Sequence, residues 1–260
     1  MFKKIVKFTL LLVLIFCIIF SIIEINSQRP VQVLKSLLKK DGLSSQGFKL
    51  KLNFLLVIPV GEAKIENLGI ETFRNRELIH IRAQAESLNY FKSLFYAKAN
   101  INSYIEPKEL DSIYFMQHLE ISNKPNDDRE ISYDQKRHIM RYQGLRGVEE
   151  RVIDEHAQDP LSAIFYIQNK VFNINEEFKL SMNTNQKNYI LKARVIAKES
   201  IQVAHKNYEL WVIQASVARK DKNPRHKTSF KIWFLDNGSQ KIPLLIKATT
   251  NIGPIVAKAN

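Results

Sequence analysis

Apolar and polar residues alternate along much of this chain, and this period of two limits its fold more than any other feature. At positions 48–58 every even-numbered residue is Phe, Leu or Ile, while Lys49, Lys51 and Asn53 occupy odd positions. Successive side chains of a strand point to opposite faces of a sheet, so the pattern predicts a strand with one buried face. The same alternation recurs in 189–197, 211–217 and 230–234. The chain is therefore predicted to consist mainly of strands.

We predict about ten antiparallel strands and two short helices. Strands in the first part of the chain are expected at 99–105, 112–121, 130–142 and 146–153. One helix is expected over 88–97. A second helix begins at Asp159 and Pro160, because Asp caps free N–H groups and Pro suits a first helical turn. The predicted fold class is mainly β, an antiparallel β-barrel or half-barrel, since such a sheet avoids long exposed edges.

The N-terminal 27 residues decide the predicted compartment. Three lysines precede a 16-residue run, Phe8–Ile23, whose polar residues are Thr9 and Ser21. Signal-peptide cores have about 7 to 15 apolar residues and spanning helices about 17 to 25, so this run lies between the two classes. No Ala-x-Ala cleavage site follows the run. We predict an uncleaved membrane-spanning anchor, with a cleaved signal peptide as the alternative.

Both alternatives place the rest of the chain on the far side of a bacterial inner membrane, because a basic N-terminus stays cytoplasmic. We divide the chain into a signal or anchor segment over 1–27, a juxtamembrane linker over 28–46 and an exported β-barrel-like domain over 47–260. The only cysteine, Cys17, lies in the leader. Disulfides, cysteine-ligated metals and a cysteine nucleophile are therefore excluded from the exported domain.

The exported part is basic. Three of the 39 basic and one of the 26 acidic residues lie in the leader, which leaves 36 and 25 and a net charge of +11. Such a charge favours anionic partners, namely lipid headgroups, acidic polysaccharide or nucleic acid. Export removes nucleic acid from the predicted partners. The predicted partners are the inner membrane, through the N-terminal segment, and an anionic lipid or polysaccharide.

Three groups of residues resemble the exported bacterial family known as domain of unknown function 3108. They are Val60–Ala63 after the first strand, Asp159–Ala163 with Phe165 and Tyr166 at the second helix, and a terminal block from Trp233–Asp236 through Ile242–Leu244 to Gly253–Ile255. The likeness covers about residues 45–258. It implies a secreted or periplasmic β-barrel-like domain, similar to the fold of an exopolysaccharide-associated lipoprotein family, and it brings no activity or catalytic residues.

Neither a metal site nor a catalytic site is predicted, and no cofactor is implied. The six histidines are scattered and show no metal-binding spacing such as H-E-x-x-H. Ser162 lies beside Asp159 at a helix start, where capping explains both residues. Glu149 and Glu150 are adjacent on a predicted strand and point to opposite faces, so they cannot flank one glycosidic bond.

The predicted ligand-binding residues come from a basic loop and from two tryptophans. Positive charge is concentrated in the loop after the strand at 211–217, and strand-borne tryptophans could line a ligand site. The candidates are Lys220, Lys222, Arg225, Lys227, Trp211 and Trp233. A barrel of about ten strands encloses more space than the roughly eight strands that side chains just fill, so room for a ligand is expected inside.

These observations lead to three functional hypotheses. The first is a non-enzymatic cell-envelope protein that binds a lipidic or glycan ligand, or a partner, close to the inner membrane. The second is an enzyme acting on envelope polysaccharide, with carboxylates that only the fold brings together. The third is a structural or assembly factor with a filled core. A dry apolar cavity would favour the first, a polar cleft with two carboxylates about 5 to 10 Å apart the second, and a filled interior the third.

Overall fold

The computed structural model describes most of the chain from Gly47 onwards. The described residues are 34, 47–54, 58–92, 96–145, 147–184, 186–203, 205–221, 227–238, 240–250 and 253–259. The leader predicted over 1–27 and, except for Leu34, the linker predicted over 28–46 lie outside them. Within these ranges, no helix combines the length and the apolar character that crossing a membrane requires.

Fourteen strands and two short helical segments make up the described part of the chain. The strands are β1 (Gly47–Phe54), β2 (Ile58–Phe73), β3 (Arg76–Ser87), β4 (Ala97–Ile105), β5 (Ser112–Ile121), β6 (Asp127–Asp134), β7 (Ile139–Gly144), β8 (Gly147–Val152), β9 (Glu177–Thr184), β10 (Lys187–Val203), β11 (Lys206–Arg219), β12 (Lys227–Asp236), β13 (Lys241–Thr250) and β14 (Gly253–Ala259). The helical segments are α1 (Asn89–Lys92) and α2 (Pro160–Asn169).

All fourteen strands belong to one antiparallel sheet. Strands β1 to β8 pair in chain order and form the N-terminal meander, and β9 to β14 pair in chain order and form the C-terminal meander. The two meanders join where β1 pairs with β14, in a register that sets Leu52 opposite Ala257. Helix α2 lies between β8 and β9 in the chain. The predicted mainly β, antiparallel fold is confirmed, as an open sheet.

The prediction of about ten strands is wrong. The single strand expected over 130–142 is two strands, β6 and β7, joined by a turn that contains no glycine or proline and in which His138 adopts a φ of 54°. Its sequence therefore carries no ordinary turn signal. The C-terminal segment from Gly253, for which no strand was predicted, is β14, which pairs with its chain neighbour β13 and with distant β1.

The two predicted helices have different outcomes. The second begins as expected, with Asp159 as the N-cap residue and Pro160 as the first helical residue of α2. Of the helix expected over 88–97, the described part contains only the four residues of α1, and β4 already begins at Ala97. The first helical prediction is therefore not established over its predicted length.

The two ends of the open sheet meet through hydrogen bonds that are not a strand ladder: the segment after β8 bonds to β9, and β8 bonds to a side chain of β10. The Gln158 N–H donates to the Ser181 carbonyl and the Gln158 carbonyl accepts from the Asn183 N–H, both at 2.8 Å. The Asn188 side chain donates to the Val152 carbonyl at 2.9 Å. We call this junction the seam. It holds the sheet in a barrel-like form without pairing β8 to β9.

We call the face of the sheet on which α2 packs the inner face. Its Leu50, Ile101 and Ile232 form one buried cluster with Leu161 and Ile164 of α2. The alternate residues of each strand point to the outer face, as the period of two requires. Apolar residues from both meanders therefore share one core.

Part of the C-terminal meander is buried on both faces. Ile213 and Ile232 point inwards, whereas Val212 and its cross-strand neighbour Trp233 lie on the outer face, and all four are at most 2% exposed. Leu34, the one described residue before Gly47, is fully buried in the same cluster. The outer face of β11 and β12 thus combines apolar burial with the charged residues described below.

Candidate functional site

The carboxylate of Asp159 lies at the centre of a buried polar network. Its Oδ1 accepts hydrogen bonds from the backbone N–H groups of Leu161 at 2.7 Å and Ser162 at 3.0 Å. Its Oδ2 accepts from the hydroxyls of Ser103 on β4 and Ser112 on β5, each at 2.6 Å. Asp159 therefore caps α2 and also ties the helix to two strands of the N-terminal meander.

Burial dominates the electrostatics of this network. It raises the pKa of the Asp159 carboxyl, and the hydrogen bonds from Ser103, Ser112 and the α2 backbone oppose that rise. Burial, followed by the nearby Asp159 carboxylate, raises the pKa of the Tyr133 hydroxyl well above its ordinary value. The Ser162 hydroxyl donates to the Asp159 carbonyl at 3.0 Å. Both oxygens of Asp159 are engaged by donors within the fold, which indicates a structural role.

Three histidines contact carboxylates at separate places on the sheet. His80 approaches Glu71 at 3.2 Å. His156, near the seam, approaches Asp111 at 2.9 Å, and this hydrogen bond raises the pKa of the imidazole. His118, on the outer face, contacts Asp128 at 2.6 Å and Glu120 at 3.1 Å. In the described ranges, no three His, Cys, Asp or Glu side chains converge closely enough to hold a metal ion. Each of these histidines therefore has its own carboxylate contacts, and they do not form one shared site.

The structure separates the residues of the predicted basic loop. Lys220 pairs with Asp154, which also accepts from Ser181, so this lysine belongs to the seam. Lys222 and Arg225 lie outside the described residues. Lys227, at the start of β12, lines a surface groove of about 490 Å³ on the C-terminal meander. Of the two loop residues that the structure describes, Lys227 is therefore placed at a candidate binding surface and Lys220 is not.

We call this groove the basic groove, and most of its lining residues lie on the outer face of β9 to β12. Lys179, Lys192, Ser216 and Ser229 stand opposite one another on four successive strands. The next row contains Glu177, Arg194 and Gln214. The groove thus presents ammonium groups beside hydroxyl and amide groups.

The lysines of the basic groove have no carboxylate partner within the described part of the protein. The ion pairs of this region involve Lys170, Arg194, Lys198, Arg219 and Lys220. Lys179 and Lys192 are direct cross-strand neighbours, and like charges so placed repel each other. An anionic ligand would relieve this repulsion. Neither Lys179 nor Lys192 was among the residues predicted to bind a ligand, because the cross-strand register that joins them has no local signal.

The two candidate tryptophans lie on opposite faces of the sheet. Trp211 borders a cleft of about 260 Å³ with Phe172 and Asp236. Its indole N–H donates to Asp236 at 3.2 Å, and the ring of Phe172 meets it edge-on with centroids 5.9 Å apart. Trp233 is on the outer face and is almost completely buried. The fold therefore does not bring the two tryptophans into one aromatic site.

The fold resembles a solved structure of low sequence similarity. That structure is the crystal structure of a β-barrel-like protein of the domain-of-unknown-function family DUF1849 from Brucella abortus. The two chains are 7% identical with a TM-score of 0.53, and the match covers 83% of this chain and 94% of the other. At this identity the likeness concerns the fold alone. The search of curated proteins found no significant match.

A family model matches the chain directly. The model describes a protein of unknown function, DUF3108, and it matches residues 48–260, which include every strand from β2 to β14. The resemblance read from the Asp159–Ala163 helix start and the terminal block is thereby confirmed, and the chain belongs to the DUF3108 family.

Proposed function

We propose that this protein is a non-enzymatic component of the bacterial cell envelope whose exported domain binds an acidic glycan in the basic groove. The single observation that carries this proposal is the row formed by Lys179, Lys192, Ser216 and Ser229 across four strands. Its ammonium groups have no described carboxylate partner, and its hydroxyls can donate to and accept from sugar hydroxyls.

The chemistry of the groove favours a glycan over a lipid chain. The lining residues include five charged side chains besides Gln214, Ser216 and Ser229, and these polar groups are directed along a sheet face. Acyl chains require an enclosed apolar surface, whereas acidic polysaccharide offers carboxylates and hydroxyls spaced along an extended chain. Neighbouring strands lie about 4.8 Å apart, so a row across four strands supplies contacts over roughly 15 Å.

The position of the protein is part of the same proposal. The basic, apolar leader over 1–27 supports export across the inner membrane, with residues from 47 onwards on the periplasmic side. Envelope polysaccharides with negative charge are available there. The exported domain would meet them with its own net charge of +11.

The test replaces the three unpaired groove lysines together, as Lys179→Gln, Lys192→Gln and Lys227→Gln. Binding of the full-length chain, in a neutral detergent, to oligogalacturonate is measured at two salt concentrations. We expect the wild type to bind and the triple variant to bind at least about threefold more weakly, since each exposed charge contact contributes about 0.2–1 kcal/mol. Higher salt should weaken the wild type more than the variant.

A matched control removes the same number of positive charges from paired positions of the N-terminal meander, as Lys64→Gln, Arg82→Gln and Lys98→Gln. These cations already contact Glu66 or Glu120. The control should retain wild-type affinity for oligogalacturonate. Equal affinity of all three proteins, or no binding by the wild type, would contradict the glycan proposal and favour a structural or assembly role.

A further inference from the structure

Trp233 has an unusual environment for a buried tryptophan. It lies on the outer face of β12, is 2% exposed, and its indole N–H has no hydrogen-bond partner in the described part of the protein. An indole N–H can only donate, so an acceptor must come from another group. Buried polar groups are nearly always hydrogen-bonded, and an unpaired donor of this kind requires an explanation.

Three lysines lie on the same face of the sheet as this indole, and two of them contact its ring. Lys231 precedes Trp233 by two residues and its ammonium lies 5.0 Å from the ring centroid. Lys247, directly opposite Lys231 on β13, lies 5.9 Å from the same centroid. Lys258 on β14 is opposite Leu245, which is itself opposite Trp233. We call Lys231, Lys247 and Lys258 the lysine triad.

The charges of the triad are close enough to affect one another. Burial lowers the pKa of the Lys247 ammonium, and the charges of Lys258 and Lys231 lower it further. None of the ion pairs among the described residues of the C-terminal meander includes a triad lysine. The ring face of Trp233 attracts Lys231 and Lys247, but it cannot neutralise their mutual repulsion.

We infer that the triad and the Trp233 N–H form a binding site for a phosphate group, either free or as a phosphate ester. A phosphate carries up to two negative charges and three acceptor oxygens. Those oxygens match donors that come from three strands, whereas a carboxylate offers two oxygens in one plane. One bound phosphate would neutralise up to two of the three positive charges and accept the hydrogen bond that the indole lacks.

This site differs from the basic groove. Its cations are on β12, β13 and β14, whereas the groove lysines are Lys179, Lys192 and Lys227. It also uses a buried aromatic donor that the groove does not have. The inference therefore stands independently of glycan binding, and the two sites can be removed separately.

The first experiment compares thermal unfolding of the full-length chain in a neutral detergent with inorganic phosphate or with chloride at equal ionic strength and pH. We expect phosphate at ten times its dissociation constant to raise the melting temperature by about 3 to 6 °C over chloride. The variant Lys231→Gln, Lys247→Gln, Lys258→Gln should lose this difference. In chloride, the same variant should melt at or above the wild-type temperature, because it removes repulsion between neighbouring cations.

The matched control is the triple glutamine variant of the groove lysines, which removes three charges elsewhere on the same meander. It should keep the phosphate-dependent rise. A second readout uses Trp211→Phe, which leaves Trp233 as the only tryptophan, and phosphate should then change its fluorescence. Equal melting in phosphate and chloride, or a rise that persists in the triad variant, would overturn the inference.

A last comparison identifies the source of the phosphate. Co-sedimentation is measured with vesicles of phosphatidylcholine alone and of phosphatidylcholine with phosphatidic acid. Loss of the phosphatidic-acid dependence in the triad variant would assign the site to a lipid phosphomonoester. Unchanged co-sedimentation, together with the melting shift in inorganic phosphate, would assign it to a soluble phosphate or a phosphorylated glycan. Both results support a phosphate site and differ only in what carries the phosphate.

Discussion

The outer faces of the two meanders contrast in how their positive charges are arranged. On the N-terminal meander, Glu66 contacts Lys64 at 2.5 Å and Arg82 at 3.2 Å, and Arg74 contacts Glu130 at 2.6 Å. On the C-terminal meander, the groove lysines and the lysine triad have no such partners among the described residues. Several outer-face cations of the N-terminal meander are therefore paired with carboxylates, whereas the basic groove and the lysine triad are clusters of cations without such partners among the described residues.

For Arg82 and for two lysines of the triad, the contrast follows from the residue that lies directly opposite the cation. Arg82 on β3 lies directly opposite Glu66 on β2, whereas Lys231 on β12 lies directly opposite Lys247 on β13. Opposite charges in such positions contribute modestly to stability and like charges reduce it. A sheet that keeps like charges together at several positions gives up some stability, and ligand binding is the physical reason that we propose.

The largest effect on stability is expected at helix α2, which packs against both meanders. Helix α2 contacts β3 and β4 of one meander and β9 and β13 of the other. Asp159→Ala would remove the helix cap and leave two buried serine hydroxyls without their acceptor, which should cost about 2 to 4 kcal/mol of unfolding free energy. Denaturant unfolding would measure this. Glycan binding by the folded fraction should be unchanged.

The matched variant Asp159→Asn removes the negative charge of Asp159 but keeps an oxygen that accepts hydrogen bonds. It therefore tests the contribution of the charge to stability separately from that of the acceptor. Its side-chain oxygen can still cap α2, and the serine hydroxyls can rotate to accept from the new amide. The loss of stability should therefore be clearly smaller than for alanine. If both variants unfold at the wild-type denaturant concentration, the Asp159 network does not hold the helix.

A smaller effect, on ligand affinity, is expected when a carboxylate is placed beside a cation of the C-terminal surface, as is found on the N-terminal surface. Ser216 lies directly opposite Lys192, so Ser216→Glu places a carboxylate beside an unpaired lysine. We expect affinity for oligogalacturonate to fall about fivefold, since the new charge competes with the ligand. Melting temperature should stay the same or rise slightly. Ser216→Gln, which adds similar bulk without charge, should retain most of the affinity.

The smallest effect is expected from removing one acid of the N-terminal surface. Glu66→Gln leaves Lys64 and Arg82 without their partner and should cost about 0.5 kcal/mol at neutral pH. The hydrogen bond from Lys64, with that from Arg82, lowers the pKa of Glu66 in the folded protein. The folded protein therefore binds the proton of the Glu66 carboxyl less tightly than the unfolded chain does. The stabilisation by the ion pairs of Glu66 is fully present above the pKa of the unfolded chain, and it is lost as the pH falls through the pKa of the folded protein.

This acid dependence can be measured as the difference in melting temperature between wild type and Glu66→Gln across the pH range from 7 to 3. The difference should shrink as the carboxylate is protonated. A constant difference over this range would mean that the ion pairs of Glu66 do not act through its charge. New salt-sensitive anion binding by the variant would show that pairing is what keeps the N-terminal surface inactive.

The sequence pattern predicted local elements better than it predicted their number. The alternation at 48–54 and 189–195 corresponds to β1 and β10, and the Asp159–Pro160 pair corresponds to the start of α2. The β6–β7 turn was missed because His138 supplies its positive φ where glycine would ordinarily be expected. The C-terminal strand β14 was missed because it begins with Gly253 and Pro254, residues that ordinarily interrupt a strand pattern.

For the candidate sites as well, the sequence revealed local features and did not reveal contacts between distant residues. The basic loop was visible as a cluster of charge in the sequence, yet the structure assigns Lys220 to the seam and Lys227 to the groove. Lys192 and Arg194 were visible only as polar positions of an alternating strand. Their meeting with Lys179 depends on the register between β9 and β10.

The sequence by itself determined the class of this fold, its family, its positive charge and the start of its main helix, because each of these depends on composition or on residues that are near in the chain. The tertiary structure decided which cations are neutralised. Cross-strand neighbours such as Lys231 and Lys247, or β1 and β14, are brought together by the register of a sheet whose pairing spans nearly the whole domain. Side-chain charges interact through space over a few ångströms, so the distance along the chain does not reveal them.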